Sequence, residues 1–233
     1  MEVAGEAVIR PLGPRTLRVL TVHGIGDPPR ELYPGEDQVW VSVAQFERML
    51  DAVVGRTDVR ITFDDGNASD LEIGLPRLRE RGLRAEFFVL AGLLGEPGRL
   101  DAAGVRELLA AGMRVGSHGW AHRNWRGMDG VEAEQEIGAA ARVLGELCGA
   151  PVRRVAVPFG SYDRRVLARL RHAGVVRVYT SDGGPARSGS WLQARTSLHR
   201  DIDEIWVRDV LEGRATVLAG IRHRVVGLLK HWR

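Results

Sequence analysis

The sequence predicts an α/β domain built on a parallel sheet, and three observations carry that prediction. Short apolar or β-branched runs alternate with longer segments of helical periodicity along most of the chain. Glycines stand just past the helical segments, where left-handed C-caps belong. Polar residues that break the apolar pattern gather where the strand-like runs finish, the end at which α/β folds build their sites.

In chain order, residues 17–22 read as the first strand and 43–54 as the first helix; residues 59–63 and 71–81 form the next pair, and 85–90 and 105–111 the third. Strand 114–116 leads to a helix over about 131–147, strand 154–157 to helix 164–171, and 175–180 reads as a further strand. Asp101 and Asp163 stand as N-caps, and Gly82, Gly112, Gly149 and Gly174 follow helical stretches. The Gly/Pro-rich pieces 24–35 and 183–189 are loop-length, and no repeat or linker divides the chain, so one domain is expected. The alternation fits an open doubly wound sheet as well as a closed barrel.

Composition narrows the chemistry. With 233 residues, 44% of them hydrophobic, the chain can bury one sizeable core. Cys148 is its single cysteine, which excludes an intrachain disulfide and any multi-cysteine metal site and leaves histidine and carboxylate as ligand types. The formal net charge is only +3, and nearly every cation is arginine, Lys230 being the one lysine. Without a basic-aromatic stripe this total does not point to nucleic acid. No apolar run approaches the roughly 20 residues a transmembrane helix needs. Residues 1–6 carry acidic groups and no apolar core, so no secretory leader is expected and a cytoplasmic setting is.

Three strand-end motifs carry the chemistry. Thr62-Phe63-Asp64-Asp65-Gly66 places two carboxylates at the end of a buried strand, and both reach one site only if the strand breaks there, as Gly66 allows. A plainer reading makes either aspartate a helix cap. His118 and His122 stand at i and i+4, a spacing that lets two imidazoles share a metal ion in a helix or tight turn. Val157-Pro158-Phe159-Gly160-Ser161-Tyr162-Asp163 ends another strand with a rigid proline and two aromatics, which suit the C–H face of a sugar ring.

Together these motifs resemble the polysaccharide deacetylases of the NodB-homology type, carbohydrate esterase family 4, over roughly residues 17–200. The resemblance implies an irregular (β/α)7 TIM-like barrel, with an N-terminal extension over 1–16 and a helical C-terminal extension over 201–233. It implies a metal-dependent hydrolase that removes N-acetyl groups, in preference to O-acetyl, from an acetylated glycan. Asp64 becomes the catalytic base, and Asp65, His118 and His122 the ligands of a divalent ion, zinc first, with cobalt, nickel and iron also compatible. Pro158, Phe159, Tyr162 and Trp120 become substrate contacts, with the Phe159 N–H at the oxyanion, and His199 or Asp64 itself becomes the acid that serves the leaving amine, His199 reading also as a solvated loop histidine.

The sequence departs from the family pattern in two places. Gly119 replaces the usual Ser or Thr after the first histidine, with Ser117 as the available hydroxyl. Ala156 replaces the arginine that usually neighbours the base, leaving Arg153, Arg154 or Arg195 to substitute. His23, at the end of the first strand, either lines the mouth or closes the strand. The rivals are a non-sugar amidase on the same scaffold and a carbohydrate-binding protein that has lost turnover.

Over 216–233, Leu218, Ile221, Val225, Leu228, Leu229 and Trp232 recur at helical spacing among Arg222, Arg224, Lys230 and Arg233. This amphipathic basic helix either packs on the barrel or rests on an anionic membrane surface, which would place the protein at the inner face of the membrane.

Overall fold

The computed structural model describes residues 15–214. The 216–233 segment expected to be an amphipathic helix lies outside the described residues.

Eleven strands and seven helices follow in order among these residues: β1 (Thr16–Val22), β2 (Gly24–Ile25), β3 (Trp40–Val41), α1 (Val43–Val53), β4 (Val59–Phe63), α2 (Leu75–Glu80), β5 (Ala85–Val89), α3 (Ala102–Ala110), β6 (Arg114–Ser117), α4 (Gly130–Ala133), α5 (Ala140–Cys148), β7 (Arg154–Ala156), α6 (Arg164–His172), β8 (Arg177–Thr180), β9 (Ala186–Arg187), β10 (Leu192–Ala194), β11 (Thr196–Ser197) and α7 (Glu204–Glu212). Helices α2 and α5 are each entered through a wider turn, Asp70–Gly74 and Glu134–Ala139, so residues 130–148 form one near-continuous helical run. Asp101 and Asp163 cap α3 and α6 through their side chains, accepting from the Gly104 and Val166 N–H groups. The four glycines expected at C-caps all take positive φ.

The sheet decides between barrel and open layer. Its strands run β10-β8-β7-β6-β5-β4-β1-β11, all paired in parallel, with β9 added antiparallel to the start of β1. The two outermost strands of that path, β10 and β11, are separated in sequence by Arg195 alone. The chain therefore leaves one edge and joins the other within a residue, and the sheet is a nearly closed barrel of parallel strands.

Alternation along each strand sorts the residues. Outward positions such as Val22, Phe63, Phe87 and Leu198 pack against Phe46, Leu50, Leu78, Leu108 and Val210 of the surrounding helices. Phe63 and Phe87, on adjacent strands, stack at 4.4 Å between centroids. Inward positions Val19, Phe88, Ala156 and Tyr179 fill the barrel. A second cluster around Trp125, Tyr162 and Leu170 covers the β7–β8 side. Helix α7 packs beside α1 and adds Val207, Val210 and Leu211 to the main core.

Candidate active site

The functional side chains lie at the C-terminal ends of the strands. Phe63 pairs with Val22, so the residues that follow, Asp64 and His23, emerge side by side from neighbouring strands. Both point inward, opposite to Val22 and Phe63. The Asp64 N–H donates to the Val22 carbonyl, which carries the strand one residue further before the Asp65–Gly66 break.

Asp64 is buried and held by Arg195. The guanidinium donates to Oδ1 from Nη1 and to Oδ2 from Nη2, each at 2.6 Å, a bidentate pair. Arg195 is only 1% exposed; it also donates to Thr62 Oγ1 and lies over the rings of Phe88 and Tyr179. Burial opposes ionisation of Asp64, yet Arg195, with His118 and His23, outweighs it and holds the carboxyl well below the usual carboxylate range. Neither aspartate caps a helix.

Asp65, His118 and His122 form the second element. Their ligand atoms all lie within 4.8 Å of one another. Asp65 Oδ1 is 3.4 Å from His118 Nε2 and 3.5 Å from His122 Nε2, and it is a buried oxygen without a hydrogen-bond partner among the described residues. The Nδ1 of His118 bonds the Ala156 carbonyl at 2.9 Å, so that nitrogen carries the proton and Nε2 presents its lone pair to the cluster. Burial pushes the His122 imidazole down to about 4, partly opposed by Asp65, which keeps it neutral and able to ligate. An orphaned carboxylate oxygen facing two imidazoles fits a divalent cation.

The backbone is strained at this site. Asp65, His122 and Phe159 are the non-glycine residues with positive φ among those described, at 73°, 56° and 57°, and each carries a side chain or N–H assigned to the chemistry. The i, i+4 histidines meet through an irregular turn rather than a helix. Glu136 holds that turn: its buried carboxylate accepts from the Trp120 and Ala121 N–H groups and from the Trp125 indole. Ser117 Oγ accepts from the Gly119 N–H, so its hydroxyl serves the motif that lacks a following Ser or Thr. Gly119 itself, at φ 95°, has no room for a side chain, since a Cβ there would sit 2.6 Å from Glu136 Oε2.

Some expected site residues stand elsewhere. Tyr162 is a correction: its ring belongs to the core beneath β7 and β8, and its hydroxyl donates to Asp182, so it does not line a groove. Pro158 is buried, and Trp120 is half-buried against the main core. Phe159 is 64% exposed and packs on His122 at 4.2 Å, which makes it the aromatic that faces the mouth. The His199 ring packs edge-on against Trp206 and makes no ion pair with Asp64, whereas His23 Nε2 lies 4.0 Å from Asp64 Oδ2. Ala156 leaves its usual arginine to Arg195, one of the three candidates; Arg154 instead pairs with Glu86.

A parallel barrel with an arginine-held carboxylate and an Asp-His-His cluster at its C-terminal mouth defines a class of barrels built around a candidate metal site. Comparison gives the family. Residues 52–178, more than half of the chain, match the family model described as polysaccharide deacetylase, and the chain belongs to that family. A curated relative, YxkH of Bacillus subtilis (strain 168), itself assigned to the polysaccharide deacetylases, is 23% identical over 142 residues; the match covers 61% of this chain and 50% of YxkH, so the chain spans half the length of that relative. Among solved structures, BC0361, a polysaccharide deacetylase from Bacillus cereus, superposes with a TM-score of 0.75 at 18% identity, covering 85% of this chain and 69% of its own. The Streptococcus pyogenes deacetylase PplD in complex with acetate gives 0.71 at 18% identity over 86% and 99% of the two chains. IcaB from Ammonifex degensii gives 0.66 at 22% identity over 85% and 97%.

Proposed function

We propose that this chain hydrolyses the N-acetyl group of an acetylated glycan, in preference to an O-acetyl group, with a divalent cation, zinc first, held by Asp65, His118 and His122. The observation that carries the proposal is the orphaned Asp65 oxygen facing two imidazoles, one residue from the arginine-held Asp64. The acetate bound in the S. pyogenes deacetylase is the product such a reaction releases.

A cation held there supplies Lewis-acid activation of the acetyl carbonyl and of water. Asp64, kept ionised and oriented by Arg195, accepts the proton of the attacking water and returns it to the departing nitrogen. His23, whose Nε2 lies 4.0 Å from Asp64 Oδ2, stands beside it for that return, and the acid role goes to this pair in place of His199. The Phe159 N–H meets the oxygen of the tetrahedral adduct, and the exposed Phe159 ring offers a face to the sugar. Arg195 favours turnover over a binding-only protein, because it gives Asp64 the cation that Ala156 lacks.

Acetate release from an acetylated chito-oligomer, measured before and after chelation and zinc readdition, tests the proposal. Activity lost on chelation and restored by zinc is expected. Asp64→Asn should keep the metal and lose turnover, and Asp65→Asn should lose both. Release that ignores chelation, or metal retained by Asp65→Asn, overturns it.

A further inference from the structure

The opposite end of the barrel carries a feature the deacetylase reading does not use. Arg60, Arg84, Arg114, Arg154 and Arg177 stand within one residue of the starts of β4, β5, β6, β7 and β8, five adjacent parallel strands. Each shares a strand face with an inward position further along: Thr62 and Asp64 after Arg60, Phe88 after Arg84, Gly116 and His118 after Arg114, Ala156 after Arg154, Tyr179 after Arg177. The period-2 pattern thus puts a guanidinium at the base of five consecutive strands.

One carboxylate answers them. Glu86, on β5, accepts from Arg154 Nε at 2.7 Å and from the Tyr179 hydroxyl at 2.9 Å, which saturates it toward the interior. Arg84 donates to the Ala111 and Gly112 carbonyls at the end of α3. Arg60, Arg114 and Arg177 have no carboxylate partner among the described residues, and Arg177 Nε and Nη1 are enclosed with no hydrogen-bond partner. Five guanidiniums against one carboxylate leave an excess of four positive charges. Burial lowers the Arg177 pKa, helped by Arg154 and Arg60 beside it and partly opposed by Tyr179 and Glu86. Arg60, Arg84 and Arg114 line a cavity of about 430 Å³ at this end, with Glu86 and Tyr179 among its other walls.

We infer that this arginine ring is a binding site for a small polyanion of the phosphate class, separate from the mouth that holds Asp64. Guanidinium forks match phosphoryl oxygens pairwise, and the cavity wall itself, with Arg60, Arg84 and Arg114 against Glu86, keeps an excess of two positive charges that suits a ligand with several negative charges. The cavity admits a diphosphate group. The inference stands apart from the deacetylase reading.

The test is calorimetric titration of the full chain, metal-stripped and dialysed, with inorganic diphosphate at an ionic strength fixed by NaCl. Saturable binding at one site is expected, with a rise in unfolding temperature that NaCl alone does not give. Arg60→Gln/Arg114→Gln should weaken binding at least about tenfold. Arg114→Gln alone, at an exposed position, should weaken it measurably even if the double variant fails to fold. His118→Ala, at the other mouth, should leave the constant within about twofold, since it alters no group of the ring. ATP and phosphatidic acid vesicles, run alongside, separate a nucleotide or a lipid headgroup as the phosphate's source. No saturable heat, an effect matched by NaCl, binding indifferent to the arginine substitutions, or vesicle binding without diphosphate binding overturns the inference.

Discussion

Replacing Arg195 by methionine tests the reasoning about the base most directly. The substitution keeps an unbranched side chain in the barrel but leaves the Asp64 carboxylate buried with no bidentate partner. Stranding one member of a buried pair costs about 3–5 kcal/mol, more than the pair's own net worth. The pH dependence follows from the direction of the shift. In the parent, the folded Asp64 pKa lies below its unfolded value of 3.8, so its contribution is present above that value and is lost as pH falls through the folded pKa. In Arg195→Met burial, the largest influence, is opposed only by the weaker His118 and His23 contributions and raises the folded pKa, so the carboxylate opposes folding above 3.8 and the penalty fades once it protonates. The gap between parent and variant is therefore widest at neutral pH and narrows toward acid. Urea unfolding followed by circular dichroism at pH 7.5 and pH 5, in chelator, measures it, and Asp64→Asn added to Arg195→Met should recover much of the loss. A single variant within about 1 kcal/mol of the parent at pH 7.5, or a double variant as unstable as the sum of the singles, refutes the argument.

Four further outcomes are expected. His122 titrates near 4 when folded against 6.5 unfolded, so the metal-free protein should gain about 3 kcal/mol as pH rises from 4 to 6.5; the gain should be missing in His122→Gln, and equal urea curves for the two would contradict the assignment. Gly119→Ser, which installs the hydroxyl common in the family, should destabilise the chain by about 2 kcal/mol because of the positive φ and the Glu136 contact; a neutral effect on the urea midpoint would contradict the geometry. Glu136→Gln places an amide against three N–H donors and should cost about 2 kcal/mol while loosening zinc binding in an equilibrium competition assay; unchanged zinc affinity would separate Glu136 from the histidine turn. Phe159→Ala should raise KM for a chito-oligomer several-fold with little change in kcat, and the opposite split would take the ring away from substrate binding.

Much of this was legible in the sequence because local patterns encode it. Strand positions followed from apolar runs, helix ends from Asp101, Asp163 and the capping glycines, and the Asp64-Asp65 and His118–His122 motifs stood out because they interrupt strand ends. What depends on distant pairing did not show. Strands β9, β10 and β11 have two or three residues each and are fixed by their neighbours' register, so 183–189, which holds β9, reads as loop and 192–197 carries no strand signal of its own. Arg195 lies 131 residues from Asp64, and only closure of the sheet selects it over Arg153 and Arg154. Both Arg195 and His23 fall outside the stretch the family model matches. Tyr162 read as a groove residue because an aromatic at a strand end has the same local signature whether it faces solvent or core. Glu136 left a usable signal that went unread: a carboxylate on the buried stripe of Ala133, Ile137, Ala140 and Leu144, where an unpaired charge would be costly.

The seam at Arg195 joins two events in one residue. Because this residue both steps the chain from β10 to β11 and grips Asp64, the sheet cannot finish closing without arming the site, and the site cannot be armed while the sheet is open. A chain halted or cleaved between β8 and β11 would retain both site histidines and both aspartates yet have no tether for the carboxylate. The residue thus acts as an assembly check: competence for chemistry arrives with the last strands of the barrel, and a half-built barrel holds an unharnessed Asp64.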